Sequence, residues 1–313
     1  MFNNSGKYRY RAQIKRTHTL RTVLIIIAAV IIIGVPLFYI VSNQNRKSND
    51  QKQLLTEWNN GAYDVVYNSS NDALAGKPND YFLLTIHGFS AFQLGIAQIN
   101  KTDNLDYIDQ CIVTLRKAIL LRDAAKDGRV FYILGKAYYY KGDDYSDLSI
   151  TYLEKARELS YNAADIYEYL GLAYAAAGNY RSSVEAFSQA LSPGNSDPSD
   201  LLLLAIAKSY IGLNDNDMAR SYLMRCLDVS KDAKTSVTAG LLLAEIYSNS
   251  GDLNGAEKQY QDVLKISADN AQANFQLGEL YASRGDMTKA RSYWRDSLKT
   301  DPSNQKARAR LGL

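Results

Sequence analysis

One short string recurs along this chain and sharply limits what it can fold into. A small residue is followed three positions later by tyrosine, and four positions after that by a Gly-Asp or Gly-Asn pair. Residues 271–304 read AQANFQLGELYASRGDMTKARSYWRDSLKTDPSN, with Leu277-Gly278, Tyr281, Gly285-Asp286, Ala290, Trp294 and Pro302 at the marked positions. Residues 237–270 repeat them through Leu243-Ala244, Tyr247, Gly251-Asp252, Ala256 and Tyr260. Earlier copies carry Leu170-Gly171, Tyr174, Gly178-Asn179, Phe187 and Ala190, and Ile206-Ala207, Tyr210, Asn214-Asp215 and Ala219. Another carries Leu134-Gly135, Tyr138, Gly142-Asp143 and Ala156, with two extra residues in its internal turn. Apolar residues at helical spacing on either side of a Gly-Asp turn describe two antiparallel helices. A fixed period of such hairpins describes an array in which each unit buries its apolar face only against its neighbours. Gly135, Gly171, Ala207, Ala244 and Gly278 leave room for a close helix approach, and Tyr138, Tyr174, Tyr210, Tyr247 and Tyr281 fill the space between helices.

These residues and the 34-residue step resemble the tetratricopeptide repeat family. Unit starts fall near 47, 81, 128, 164, 200, 237 and 271. The unit at 47 is degenerate, keeping GAYDVVYNSSNDAL and Pro78; the unit at 81 is lengthened by about eleven residues around IAQINKTDNLDY, and its second helix runs on into LLRDAAKD. The resemblance implies an all-α fold, a right-handed superhelix (α-solenoid) of about seven helical hairpins over residues 47–304, closed by a capping helix over 305–313.

Ahead of the array, the nineteen residues Val23–Val41 run VLIIIAAVIIIGVPLFYIV without a charge. As a helix they reach about 28 Å, enough to cross a hydrocarbon core. Fourteen of the nineteen are Val, Leu, Ile or Phe, so insertion is favourable despite Gly34 and Pro36. A cleaved signal peptide has a shorter apolar core and a small-residue cleavage site, so the run reads as a retained anchor over 22–42, followed by a linker over 43–46. Lys7, Arg9, Arg11, Lys15, Arg16 and Arg21 precede it with no acid among them. This basic tail, 1–21, predicts a cytoplasmic N-terminus and an exported array, with contact to anionic lipid as an added effect. The remaining 30 basic and 33 acidic residues leave the body mildly acidic, which argues against nucleic acid as its ligand.

Chemistry-bearing residues are sparse. With 46% hydrophobic residues, 22% charged and five prolines the chain is of ordinary folding composition. Its two cysteines, Cys111 and Cys226, make no disulfide framework, and with His18 and His87 they offer no zinc-ligand spacing. No Ser-His-Asp or Cys-His arrangement can be assembled, and GxGxxG does not occur. The expectation is a protein that is not an enzyme, with no cofactor, no metal and no small-molecule substrate. His87 falls where a repeat packs an apolar side chain, so it reads as a core histidine; Cys111 and Cys226 read as buried packing residues.

Positions 2, 5, 9 and 12 of each first helix form one stripe by helical spacing, and the resemblance implies that this stripe lines a concave protein-binding groove. It carries Phe82, Phe89 and Phe92, then Arg129, Tyr132, Lys136 and Tyr139, then Glu168 and Leu172, and later Lys208, Glu245 and Glu279. Chaperone-binding members hold a C-terminal carboxylate with Lys at position 5 and Asn at position 9; no unit here has that pair. An apolar groove with a few charges suits a helix or an extended peptide of a partner protein. The expected function is a membrane-anchored scaffold at the inner membrane, with its array in the periplasm. It would assemble an envelope complex of secretion, division, envelope biogenesis or a flagellar-motor collar. The alternative is a periplasmic holdase or peptide receptor serving a translocation machine, in which the Phe82, Phe89, Phe92, Tyr132 and Tyr139 stripe binds many apolar segments weakly.

Overall fold

A computed structural model describes residues 50–98, 101–121, 126–191 and 198–313. The tail, the anchor and the linker over 1–46 lie outside the described residues. Among those described, no helix is long and apolar enough to cross a membrane. All regular structure described is helical. The chain divides into two compact units, at residue 94.

The first unit holds α1 (described over 50–59), α2 (Tyr63–Gly76) and most of α3 (Tyr81–Ala97). Leu54, Val66, Leu83 and Ile86 form its core, with Trp58, Ala73, Leu74 and Phe82 packed around them. His87 is a core residue here, 3% exposed. Its Nδ1 lies 3.0 Å from Ser70 Oγ and 3.1 Å from the Tyr67 carbonyl oxygen, and its ring stacks on Tyr67 at 4.4 Å. Burial holds its pKa below the usual imidazole value, and the backbone hydrogen bond opposes that shift only in part.

The second unit runs on through α4 (Lys101–Ala118), α5 (Gly128–Lys141), α6 (Ser146–Glu158), α7 (Ile166–Ala176) and α8 (Tyr180–Ala190). It ends with α9 (Asp200–Gly212), α10 (Asn216–Val229), α11 (Ala233–Asn249), α12 (Leu253–Ile266), α13 (Ala271–Ser283), α14 (Met287–Thr300) and α15 (Gln305–Leu311). From α5 onward, helices pair as hairpins, α5 with α6 through α13 with α14, and each second helix packs on the first helix of the next pair. This is a solenoid, and α15 covers its last apolar face, with Leu311 against the cluster around Trp294.

The recurring string explains the hairpins. At the end of the first helices α7, α9, α11 and α13 the tyrosine carbonyl accepts the amide of the turn's Asp or Asn: Asn179 to Tyr174, Asp215 to Tyr210, Asp252 to Tyr247 and Asp286 to Tyr281, at 2.8 to 2.9 Å. That closure needs a left-handed residue just before, supplied by Gly251 (φ +82°) and Gly285 (φ +84°), and by Asn214 (φ +60°) in the copy without glycine. The same Asp then starts the second helix. Asp215, Asp252 and Asp286 accept from the amides of Met218, Gly255 and Lys289 at 2.9 to 3.1 Å.

Within the hairpins the small residues act as the spacing implies. A Cβ added at Gly135 would lie 2.5 Å from Leu153 Cγ, and one at Gly171 would lie 2.5 Å from the Phe187 ring; at Gly278 it would meet the buried Trp294. In α11, where the string carries Ala244, a Cβ added at Gly240 one turn earlier would lie 2.7 Å from Val263 Cγ2. Serine hydroxyls reinforce two of these contacts, Ser149 donating to the Gly135 carbonyl and Ser183 to the Gly171 carbonyl, each at 2.8 Å. At a different place in their hairpins, Cys226 and Ser297 donate from the second helix to the carbonyl of the first residue of the first helix, Asp200 (3.3 Å) and Ala271 (2.8 Å). Cys111 and Cys226 are both buried.

Several boundaries differ from the sequence reading for local reasons. The extra length of the unit at 81 goes into both helices, which reach 17 and 18 residues. The two extra residues after Gly142 become a 3-10 turn, Asp143–Tyr145. The helix expected near 237 begins at Ala233, because Asp232 caps it by accepting from the Thr235 amide at 2.7 Å.

Gly171→Ala tests the close approach. On an open helix the change would gain about 1 kcal/mol from propensity; against the Phe187 ring, overpacking costs about 1–3 kcal/mol. A lower urea midpoint is expected, and a raised midpoint would contradict the packing described.

Candidate functional site

First helices of neighbouring units touch directly, α5 with α7, α7 with α9 and α9 with α11, more extensively than the second helices do. The side of the second unit on which first helices meet is called its inner face, and the stripe residues Tyr132, Lys136 and Asp165 come together there between α5 and α7.

The aromatic front of the stripe is largely consumed by the fold. Phe92 is 1% exposed, so it is a core side chain and not a groove lining. Phe82 packs on the first unit's core, and Phe89 lies with its ring centroid 6.3 Å from that of Trp58.

Tyr132, at 8% exposure, is also closed to a partner. Its hydroxyl donates to Asp165 Oδ1 across the α5–α7 junction. Lys136 Nζ donates to Tyr132 Oη at 3.0 Å and to Asp165 Oδ2 at 2.9 Å, and it sits 4.1 Å from the centre of the Tyr169 ring. Burial, and after it the bond to Asp165, pushes the Tyr132 phenol well above its ordinary value. Tyr140 and Tyr169 meet hydroxyl to hydroxyl at 2.9 Å, and the half-buried Tyr139 sets its ring at a near right angle to Tyr169, 5.3 Å away. Asp165 and Tyr169 hold this cluster together. Asp165 stood on the stripe at position 2, whereas Tyr169 sits one place past position 5, where helical spacing gives no signal.

The other stripe residues are placed as follows. Arg129 is exposed and makes a two-pronged pair with Asp127, at 2.9 and 2.7 Å. Leu172 packs against the cluster of Phe187, Leu202 and Ile206. Lys208 and Glu245 are exposed. Glu279 takes a bidentate contact from Arg310, at 2.9 and 2.6 Å, which ties the capping helix to α13. Leu201 of α9, at position 2 of its unit, is 64% exposed.

Glu168 behaves differently from all of these. It is half-buried on α7 and has no hydrogen bond or ion pair among the described residues. Burial raises its pKa above the usual carboxylate value, Asp165 raises it further, and Lys136 lowers it. No three or more His, Cys, Asp or Glu gather into a metal-holding group among the described residues.

A family model described as a tetratricopeptide repeat-like domain matches residues 148–311, more than half of the chain. The chain belongs to the tetratricopeptide repeat family. Among solved structures it is similar to the C-terminal part of a TPR repeat-containing protein from Cytophaga hutchinsonii, at TM-score 0.62 and 18% identity, covering 84% of this chain and 100% of that one. It is similar to YrrB, a TPR protein with an unusual peptide-binding site, at 0.51 and 21%, covering 64% and 98%. It is also similar to PilW, a type IV pilus biogenesis factor, at 0.56 and 15%, covering 72% and 98%. No curated protein matches the chain. At these identities the likenesses establish the fold alone.

Because the charged form of Glu168 is penalised in the folded chain, that penalty is present above its raised pKa and absent once the carboxyl is protonated in both states. Glu168→Gln is expected to raise the melting temperature at neutral pH, by a margin that vanishes below about pH 4. Thermal melts of both proteins at the two pH values check this. A variant less stable than wild type at neutral pH would contradict it.

Proposed function

We propose that this protein is a membrane-anchored, non-enzymatic scaffold that holds a partner protein along the inner face of its repeat array. The observation that carries the reading is the exposed side of that face from α7 to α13, where Leu201, Lys208 and Glu245 stand open beside the partly buried Leu172, Leu241 and Phe275. A tetratricopeptide array is a protein-binding scaffold by fold, and apolar side chains spaced among charges suit a helix or extended segment anchored through its side chains. The nineteen-residue apolar run 23–41, with six basic residues before it, supports the anchor and an extracytoplasmic array. On that placement the work of the protein is assembly of an envelope complex, in secretion, division, envelope biogenesis or a flagellar-motor collar. That one protein of the same fold is a pilus biogenesis factor and another has a peptide-binding site accords with this reading.

The holdase alternative needs a broad apolar face for many clients. Burial of Phe92 and Tyr132 removes two of the five aromatics it depended on, so the scaffold reading is preferred.

Mild crosslinking in native membranes followed by pull-down of wild type and Leu201→Glu tests the proposal. Leu201 is exposed, so the variant keeps its fold. One or two stoichiometric partners, reduced about tenfold in the variant, are expected for a charge placed in an apolar contact. A diffuse set of clients would favour the holdase, and an undiminished partner would move the contact off the inner face.

A further inference from the structure

The last stretch of the array differs in charge from everything before it. Residues 50–283 carry 20 basic and 30 acidic residues, net −10, whereas 284–313, which hold α14 and α15, carry eight basic and three acidic, net +5. Half of those eight bases are paired: Arg284 with Glu257, Lys289 with Asp286 at 3.6 Å, Lys299 with Asp296 at 2.6 Å and Arg310 with Glu279 at 2.6 Å. Arg291, Arg295, Lys306 and Arg308 are exposed, and their side chains have no ion pair or hydrogen bond among the described residues. On α14, which buries Ala290, Trp294 and Ser297, the residues Arg291, Arg295 and Lys299 follow one another at four-residue steps along an open flank. Like charges at that spacing weaken a helix, so the stripe does nothing for α14 itself. The same three places hold Arg220, Met224 and Asp228 in α10, and Glu257, Gln261 and Lys265 in α12.

The stripe borders a groove that the repeat defines. Between hairpins, one second helix and the next first helix line a groove together: Glu154 and Arg157 of α6 with Tyr167 and Leu170 of α7, and Met224 and Leu227 of α10 with Leu243 of α11. The following second helix closes its far side, through Glu185 of α8 in one case and Asp252 and Asp262 at α12 in the other. At the matching positions of the last unit stand Arg295 and Leu298 of α14, with Arg308 and Leu311 of α15. Leu298 and Leu311 are half-buried, and no helix closes the far side there among the described residues.

We propose that an acidic, amphipathic helix of a partner protein docks along α14 and α15, in the position that a following second helix holds in the other hairpins. Its carboxylates lie toward Arg291, Arg295 and Arg308, and its apolar side lies toward Leu298 and Leu311. Charge selects this occupant, since an acidic helix is repelled by the net negative remainder of the array and attracted at this end. Guanidinium groups suit the role because they take carboxylates in two-pronged pairs. This surface is separate from the inner face and does not depend on it; it gives a scaffold a second point of attachment.

The test uses the full chain in detergent and two fluorescein-labelled, helix-forming peptides of leucine and alanine, one with glutamate along its polar side and the other with glutamine. Fluorescence anisotropy is read at about 0.05 M and about 0.5 M salt for wild type, Arg291→Glu/Arg295→Glu and Leu201→Glu. Wild type is expected to bind the glutamate peptide about tenfold more tightly at the lower salt, the effect of several exposed ion pairs together, with the preference fading at the higher. The double variant should lose the preference while its melting temperature stays at or above that of wild type, because one of the two like-charge pairs on the stripe becomes an attraction to Lys299. Its basic tail is intact, so any contribution from the tail is equal in both proteins. Leu201→Glu should leave the preference unchanged. Equal binding of the two peptides, or a preference undiminished in the double variant, would overturn the proposal, and a preference lost in Leu201→Glu would assign it to the inner face. Binding of neither peptide would also overturn it: self-association in sedimentation velocity that the double variant loses would then give this end to a second copy, and retention of phosphatidylglycerol that the variant loses would give it to lipid.

Discussion

Everything in the second unit depends on how closely two helices of one hairpin approach. Gly135, Gly171 and Gly278 have no room for a Cβ against Leu153, Phe187 and Trp294, and that distance fixes where the next helix must lie. Each hairpin leaves one apolar face uncovered, which the following hairpin buries. The inner face is then a product of spacing. Stripe residues from separate units fall in line because the units repeat, and a change in one close approach is passed along the array. The tyrosine at the end of each first helix links packing to the turn. Tyr281, for example, stacks on Tyr293 at 5.5 Å while its carbonyl accepts the Asp286 amide.

Much of this was legible in the sequence, because the features that specify it are local and repeated. The Gly-Asp pair is a turn in one place for the same reason that it is a turn in the others, so Gly251-Asp252 and Gly285-Asp286 read alike. Asn214 shows why the copy without glycine still works, since asparagine tolerates the left-handed backbone. The small residues three before each tyrosine pointed to close packing at Gly171 and Gly278. The approach at Gly240, and the serine bonds from Ser149 and Ser183, came from contacts between helices that no single period encodes.

The binding face was legible as positions and not as availability. A stripe drawn by helical spacing marks which residues share a side, but exposure depends on what the neighbouring unit contributes. Phe92 and Tyr132 stand on the stripe and are buried. Lys136 and Glu279 stand on it and are already paired, with Asp165 and Arg310. Glu168 stands on it half-buried, with no hydrogen bond or ion pair among the described residues.

The central claim is that recognition takes place on the inner, first-helix side. Site-specific photocrosslinking in cells tests it most directly, with a photoreactive residue placed at Leu201 on the inner face or at Met224, which is 49% exposed on the second helix of the same hairpin. A discrete crosslinked partner from position 201, with little from 224, is the expected result. A partner captured from 224 and not from 201 would contradict the account.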